Sequence, residues 1–270
     1  MSHIDSEAFR QFEHHGWQEI ASRYHDGFAA VTTQSTQPLL DAAEVKRGTR
    51  VLDVACGPGY VAAAAHASGA IATGIDFSSE MVEQARGRYA GVDFQEGDAE
   101  QLAFADASFD AVVMNFGMLH LGRPELALRE AYRVLRRPGR VAFTVWDIPD
   151  HAVGFGIVIA AIQKYGDLNV PIPPGPPFFR FSDPNESTRV LTAAGFENVR
   201  ITRVPQLWKL PSPDTLFEVM YNGSVRNAAL LRGQKPDVLE KIRSEIRSEV
   251  QRVGAELSMP AVLASGQKLN

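Results

Sequence analysis

The sequence predicts an α/β fold in which strands and helices alternate around a largely parallel sheet. Three observations lead to this prediction. An apolar strand at residues 51–54 enters a turn containing Gly57 and Gly59, an alanine-rich helix over residues 60–68 follows that turn, and further strand patterns recur downstream with a helix between them. Such alternation is typical of βαβ units, whose strands pair in parallel.

A helical arm comes before the first strand. Its apolar residues recur at spacings of three to five, which predicts an amphipathic helix that breaks or bends at Gly16, followed by a second helix over residues 37–45. These aromatic side chains are more typical of packing than of ligand contacts. The recurring residues are Phe9, Phe12, Trp17, Ile20, Tyr24 and Phe28.

The glycine turn after the first strand indicates a ligand site. Gly57 and Gly59 permit positive φ and carry no Cβ, so a ligand can approach their backbone, and the following helix exposes free N–H groups at its start. The run Gly57 to Ala62 matches the dinucleotide pattern G-x-G-x-x-A, which alone is a weak signal. Asp53 lies within the strand, where its carboxylate would oppose a pyrophosphate and favour a cation. S-adenosylmethionine carries an ammonium and a sulfonium and no phosphate.

Polar residues end the next three predicted strands. The second strand ends at Asp76, 17 positions after Gly59 (76 minus 59), and a carboxylate there can accept both hydroxyls of a ribose. NAD and S-adenosylmethionine share that requirement, and we expect such a strand-tip carboxylate to support little core. The third strand runs into Asp98, which can accept an exocyclic adenine amine, and the fourth ends at Asn115. A helix over residues 124–136, a turn at 137–139 and a fifth strand at 140–146 follow.

These segments together resemble the class I S-adenosylmethionine-dependent methyltransferases. The matching pieces are VLDVACGPGYVA, GIDFSSEMVEQAR, FQEGDAEQLAFADASFDAVVMNFGMLHL and REAYRVLRRPGRVAFTVW, which cover roughly residues 50–146. They are similar to the small-molecule branch, as in the methyltransferases of ubiquinone and menaquinone synthesis. One departure is Ala55, where the family often has glycine.

The resemblance implies a Rossmann-like three-layer sandwich with a seven-stranded, mostly parallel sheet and an antiparallel last strand. It divides the chain into an N-terminal arm (residues 1–49), a cofactor-binding core (50–146) and a remainder of the same domain (147–270). In that remainder we expect helical lid insertions at about 150–183 and 211–254.

The resemblance also implies site residues. Asp53 and the backbone from Ala55 to Gly59 would hold the methionine end of the cofactor, Asp76 the ribose, and Asn115 the α-amino group through its carbonyl. Phe77 and Met81 would flank the adenine ring, although both fit a plain core role, and Asp98 also fits a simple turn. The full predicted set is Tyr24, Asp53, Ala55, Gly57, Gly59, Asp76, Phe77, Met81, Gly97, Asp98, Ala99, Asn115 and Phe116.

Composition is typical of a cytoplasmic enzyme. The 270 residues are 45% hydrophobic and 22% charged, with a net charge of −5 and one cysteine. These values argue against a nucleic-acid binder and a disulfide framework. We find no membrane-spanning run, no secretion signal and no metal-ligand pattern in the sequence.

The region after Trp146 predicts the acceptor site. Five prolines between residues 170 and 181 predict a stiff, extended loop. A helix at 184–194, a strand at 199–204, a helix at 237–253 and a last strand at 257–268 follow. The insertions leave the sheet near its ligand-binding edge, and their apolar residues suggest a small apolar or aromatic acceptor, although half of these residues also fit a plain core role. Those residues, with Trp146, are Phe155, Ile157, Ile159, Phe178, Phe179 and Phe181.

The predicted function is methyl transfer to such an acceptor by in-line displacement. The chemistry needs mainly positioning and water exclusion. His120, just past the fourth strand, is the candidate general base, with capping or filling as the alternative role. Two other functions stay open: a non-catalytic S-adenosylmethionine-binding protein and a nucleotide-dependent oxidoreductase. The sequence predicts neither the acceptor atom nor the oligomeric state.

Overall fold

A seven-stranded sheet forms the centre of the protein, whose computed structural model describes residues 5–269. The strand order is β3-β2-β1-β4-β5-β9-β6. The first five strands pair in parallel, and β9 lies antiparallel between β5 and β6. The predicted fold class is therefore confirmed. The strands are β1 (Arg50–Val54), β2 (Ile71–Asp76), β3 (Asp93–Glu96), β4 (Phe109–Asn115), β5 (Leu135–Trp146), β6 (Glu197–Val204), β7 (Leu207–Lys209), β8 (Glu256–Ser258) and β9 (Ala261–Lys268).

Helices cover both faces of this sheet and its ligand-binding edge. Side-chain caps fix where several of them begin: Asp5 accepts from two backbone N–H groups of α1, Ser78 caps α5, and Asp183 caps α8. The helices are α1 (Ser6–Tyr24), α2 (Ala29–Thr32), α3 (Thr36–Ala42), α4 (Tyr60–Ala67), α5 (Ser79–Arg88), α6 (Pro124–Val134), α7 (Val153–Tyr165), α8 (Pro184–Ala193), α9 (Thr215–Asn222), α10 (Arg226–Arg232) and α11 (Pro236–Val253).

The core lies on both sides of the central strands. Val51 and Leu52 of β1 and residues 111–113 of β4 are buried without alternation, as expected for strands covered by helices on both faces. Their carboxyl ends therefore meet at one edge, where the chain must leave the sheet. This edge is the floor of the site described below.

Helix α1 corrects one prediction, because it runs through Gly16 without interruption. A Cβ at Gly16 would lie 2.5 Å from Cγ1 of Val225. The glycine thus allows a close approach between α1 and the segment before α10 and does not end the helix.

The carboxyl-terminal half departs from prediction in three places. The predicted last strand is two strands, because Pro260 separates β8 from β9, and β8 pairs with β7 in a second sheet. The predicted turn at residues 137–139 lies inside β5, beside a register shift against β4. Strand β7 was not predicted, whereas helix α7 lies in the first predicted helical insertion, for which no helix bounds were given. No helix within residues 5–269 is long and apolar enough to span a membrane.

Two glycines provide a matched test of packing in this fold. A Cβ at Gly74 would lie 2.6 Å from Cδ1 of the buried Phe94, whereas a Cβ at Gly87 of α5 would meet nothing within 4 Å. We expect Gly74→Ala to destabilise the protein by about 1–3 kcal/mol through overpacking. Gly87→Ala should stabilise it by up to about 1 kcal/mol. Urea unfolding of both variants checks this, and equal midpoints would contradict it.

Candidate active site

A cavity opens at the carboxyl ends of the central strands. Every residue of the predicted cofactor set lines it except Gly59, and His120 lines it as well. Residues from α1, from the proline-rich segment and from the start of α10 close the cavity from above; they include Arg10, Trp17, Phe178 and Arg226. The structure thus brings together residues from widely separated parts of the sequence. The individual binding roles stay predictions.

The two glycines of the turn have different functions. Both have positive φ, 51° at Gly57 and 86° at Gly59. A Cβ at Gly57 would meet no protein atom within 4 Å, whereas one at Gly59 would lie 2.6 Å from Cζ of Phe94. Gly57 therefore leaves open space on the cavity side, and Gly59 is needed for packing at the start of α4. Ala55 also has positive φ, at 53°, which is strained for a residue with a Cβ.

Asp53 is a buried carboxyl group with an unused acceptor. Asp53 is 1% exposed. Its Oδ2 accepts from the N–H of Ala62 at 2.9 Å, whereas its Oδ1 has no hydrogen-bond partner among the described residues. Burial raises the pKa of Asp53 to about 8, and the nearby Asp76 adds to the effect. A ligand with a cationic N–H donor would satisfy this oxygen and favour its charged form.

Asp76 has a larger structural role than predicted. Oδ2 accepts from the N–H of Gly57 at 2.8 Å and Oδ1 from the N–H of Ser78 at 2.9 Å. Burial raises its pKa to about 6, against the effect of these backbone donors. The expectation that this carboxylate supports little structure is wrong, because it braces the glycine turn and the start of α5.

The predicted adenine side is formed by Asp98, Phe77 and Met81. Oδ2 of Asp98 pairs with Nη2 of Arg10 at 2.9 Å, and Oδ1 accepts from the N–H of Glu100 at the same distance. Asp98 is therefore more than a turn residue, since it also holds helix α1. Met81 is buried, whereas Phe77 is partly exposed beside the cavity.

Asn115 connects the sheet to the helical arm. Its Oδ1 accepts from the hydroxyls of Ser35 at 2.8 Å and Thr144 at 2.6 Å, and its Nδ2 donates to the carbonyl of Thr32 at 3.0 Å. The side-chain carbonyl already has two donors. The predicted contact between a carbonyl of Asn115 and the cofactor amine stays untested.

Helix α1 is tied to this edge along its length. Besides the contact of Arg10, Gln18 accepts from the Ser78 hydroxyl and from the N–H of Glu80, and donates to the Ser79 hydroxyl at 2.9 Å. Tyr24 lines the cavity, and its hydroxyl donates to Thr32 at 3.2 Å. Burial raises the pKa of Tyr24 to about 12, so it stays neutral.

Sequence reasoning missed a buried ion pair over the cavity. Glu13 of α1 is 0% exposed, and its Oε1 accepts from Nε of Arg226 at 2.7 Å. Its Oε2 accepts from Nδ1 of His120 at 2.9 Å and from Nε1 of Trp17 at 3.2 Å. Burial alone would raise the pKa of Glu13, but His120 and Arg226 hold it below the ordinary value. One signal was available: Glu13 lies four positions from both Phe9 and Trp17, on the apolar stripe of α1.

Part of the predicted aromatic cluster forms the far wall of the cavity. Trp146, Phe155 and Phe178 line it, with ring centroids 5.3 Å apart for Trp146 and Phe155 and 5.6 Å apart for Phe155 and Phe178. Phe116 packs on Trp146 at 4.1 Å. The other members point elsewhere: Phe181 and Ile157 are buried in the core, and neither Phe179 nor Ile159 lines this cavity.

Comparisons with known proteins agree with this geometry. A family profile described as a methyltransferase domain matches residues 52–143. The chain is 36% identical over 168 residues to the ubiquinone/menaquinone biosynthesis C-methyltransferase of Rubrivivax gelatinosus, covering 58% of this chain and 66% of that protein. It is 35% identical over 124 residues to the malonyl-[acyl-carrier protein] O-methyltransferase of Erwinia billingiae, covering 46% and 49% respectively.

A solved structure supports the fold over a longer stretch. An S-adenosylmethionine-dependent methyltransferase from Thermotoga maritima, described as a possible histamine N-methyltransferase, superposes with a TM-score of 0.57 at 21% identity. The superposition covers 95% of this chain and 99% of that one. By contrast, the chain spans about half the length of most curated relatives it matches.

The raised pKa of Asp53 predicts a specific pH dependence. The folded-state pKa of Asp53, about 8, lies above its ordinary value of 3.8, so its contribution to stability is full at low pH and is lost as pH rises from about 4 to 8. Asp53→Asn removes this titration. Between about pH 5 and pH 8, the free energy of unfolding of the variant should rise by more than about 1 kcal/mol relative to that of the wild type. One pKa unit corresponds to about 1.4 kcal/mol. Urea unfolding without ligand at both pH values checks this, and a constant difference would contradict it.

Proposed function

This chain belongs to the class I S-adenosylmethionine-dependent methyltransferases, and on that premise we propose that it methylates a small acceptor of aromatic character. The observation that carries the proposal is the cavity itself. Its lining combines the unpartnered Oδ1 of Asp53 and the open backbone of Gly57 with an aromatic wall.

The acidic and glycine residues of the lining fit S-adenosylmethionine. A buried carboxylate oxygen without a donor suits the ammonium group of the methionine end, and Asp76 stands next to it with remaining acceptor capacity for ribose hydroxyls. A pyrophosphate would face two carboxylates, which argues against a dinucleotide. We propose the binding roles on this basis: Asp53, Ala55 and Gly57 for the methionine end, Asp76 for the ribose, and Gly97, Asp98 and Ala99 for the adenine edge.

The protein's part in the reaction is to bind, orient and exclude water. When bound, the cofactor supplies a methyl group on a sulfonium that is already activated for displacement. Good alignment of two reactants contributes about 7–11 kcal/mol in favourable intramolecular systems. Helix α1 and Phe178 of the proline-rich segment cover the cavity, and Phe116 and Trp146 give it an apolar lining. We propose that the arm and the two insertions act as the lid of this one domain.

The aromatic wall supports the acceptor class. Aromatic acceptors stack edge-to-face on such rings, and pairs of this kind contribute about 0.5–1.5 kcal/mol beyond burial. The names of the two relatives, a quinone C-methyltransferase and a carrier-protein O-methyltransferase, differ in the atom methylated. We therefore base the proposed acceptor class on the aromatic wall of the cavity. The cytoplasmic location stays a prediction.

Calorimetric titration tests the cofactor directly. S-adenosylhomocysteine and S-adenosylmethionine should both bind the protein, because each carries an ammonium group that can donate to the unpartnered Oδ1 of Asp53. NADH should give no binding heat at the same concentrations. Binding of NADH without binding of either sulfur compound would contradict the proposal. Binding of S-adenosylmethionine, with no methylation of any acceptor, would favour the non-catalytic alternative.

Substitution of Asp76 tests the ribose role. Asp76→Ala should weaken S-adenosylhomocysteine binding by about 2 kcal/mol or more, because two hydroxyls lose a charged acceptor. Since Asp76 also accepts from Gly57, unfolding is measured in parallel to confirm that the variant is folded. Asp93→Ala, which removes an exposed acid at the start of β3, is the control and should bind normally. A folded Asp76→Ala with unchanged affinity would remove the ribose role.

A further inference from the structure

We propose that Glu13 positions His120 as a general base, and that the acceptor is therefore an aromatic hydroxyl compound that must lose its proton. This inference rests on the proposed function and deepens it. It assigns a role to Glu13 and narrows the acceptor to phenol-type molecules.

The contact with Glu13 determines which nitrogen of His120 carries the proton. Nδ1 lies 2.9 Å from Oε2 of Glu13. An ionised carboxylate can only accept hydrogen bonds, so Nδ1 must donate. In a neutral ring, Nε2 is then left with a lone pair, and His120 lines the cavity with 18% of its side chain exposed. The ring thus has a fixed tautomer suited to accept a proton.

Hydrogen bonds to both oxygens of Glu13 hold its carboxylate in place as an acceptor. Its Oε1 holds Nε of Arg226 at 2.7 Å, and its Oε2 also accepts from Trp17. The other two nitrogens of the same guanidinium also donate, Nη1 to the carbonyl of Pro176 at 2.9 Å and Nη2 to the carbonyl of Leu119 at 2.6 Å. Leu119 precedes His120 in sequence. The carboxylate and the backbone that carries the imidazole are therefore held by the same cation.

Two aromatic rings pack against the imidazole ring of His120 and restrict its orientation. Trp17 meets it edge-to-face with centroids 4.7 Å apart at 84°, and Phe178 does so at 6.4 Å and 79°. Two aromatic rings and one charged hydrogen bond thus restrict its rotation. Capping does not explain this arrangement, because within residues 5–269 the side chain of His120 hydrogen-bonds to Glu13 and to no backbone group.

The acceptor class follows from what a base contributes. A neutral amine attacks through a free lone pair and loses its proton afterwards, whereas a phenol becomes a strong nucleophile only as its proton leaves. In the proposed step, the acceptor oxygen forms a bond to the methyl carbon as the carbon–sulfur bond breaks, with that electron pair going to sulfur. The hydroxyl proton moves to Nε2 of His120, which later releases it to solvent. General bases of this kind contribute about 10²–10⁴ in rate.

The first test needs neither ligand nor turnover. Side-chain ¹⁵N NMR of histidine-labelled protein near neutral pH distinguishes the two imidazole tautomers, and His120→Gln identifies the resonance. We expect the Nδ1–H tautomer for His120. A ring protonated only at Nε2 would overturn the role of Glu13. This readout is taken on the wild type, so it needs no substitution of Glu13, whose loss would leave Arg226 buried without its counterion.

The second test uses acceptors of graded acidity with S-adenosylmethionine near pH 8. Phenol is largely un-ionised there and 4-nitrophenol is largely ionised. His120→Gln should lower kcat at least about 100-fold for phenol, and much less for 4-nitrophenol, which needs no base. His15→Gln, an exposed histidine of the same helix as Glu13, is the matched control and should change neither rate. Equal losses on both phenols would indicate a structural role and overturn the inference.

The same assay separates this inference from the proposed function. Aniline and thiophenol are included as probes without a hydroxyl. Methylation of these compounds but of neither phenol would overturn the hydroxyl class and leave the methyltransferase function standing. If S-adenosylhomocysteine binds but none of the four probes is methylated, the hydroxyl class is likewise overturned. Failure to bind S-adenosylhomocysteine would instead contradict the proposed function itself.

Discussion

The buried ion pair between Glu13 and Arg226 is the interaction on which the closed form of this site depends. These residues are 213 positions apart, and each brings a separate element over the ends of the strands. The guanidinium also lies over the rings of Phe9, at 4.4 Å, and Phe178, at 5.5 Å. A buried pair of this type is strongly destabilising when one partner is lost, because the other charge stays uncompensated. The helical arm, the proline-rich segment and the second insertion are thus fixed together as one roof.

The floor of the site contains two buried acids, Asp53 and Asp76, in place of an ion pair. Burial raises the pKa of both Asp53 and Asp76, and the nearby charge of Asp76 raises the pKa of Asp53 further. Of these two acids, only Asp53 has an oxygen without a hydrogen-bond partner among the described residues. Such a group lowers the stability of the free protein and raises its affinity for a cation, which is a common compromise at binding sites. Roof and floor together enclose a cavity that is lined by both acidic and aromatic side chains.

The local signals of the sequence predicted the floor well. The glycine turn and the acids at strand ends are determined by neighbours in sequence, so β1 to β4 and the cavity-lining residues could be identified directly. Gly57 and Gly59 looked alike in sequence, but only the packing of Phe94 against Gly59 separates their roles. In the same way, the side chain of Asn115 was expected near a ligand, and its bonds to Ser35 and Thr144 depend on tertiary contacts.

The roof could not be predicted, because its contacts join distant parts of the chain. Nothing near Arg226 in sequence indicates a partner in α1, and Gly16 reads as a helix breaker until Val225 is placed against it. A crystal structure with S-adenosylhomocysteine is the most direct test of the whole account. We predict ligand density between Asp53 and Asp98, covered by α1, with the ligand amine at Oδ1 of Asp53. Density outside this cavity, or a bound state in which Glu13 has left both His120 and Arg226, would contradict it.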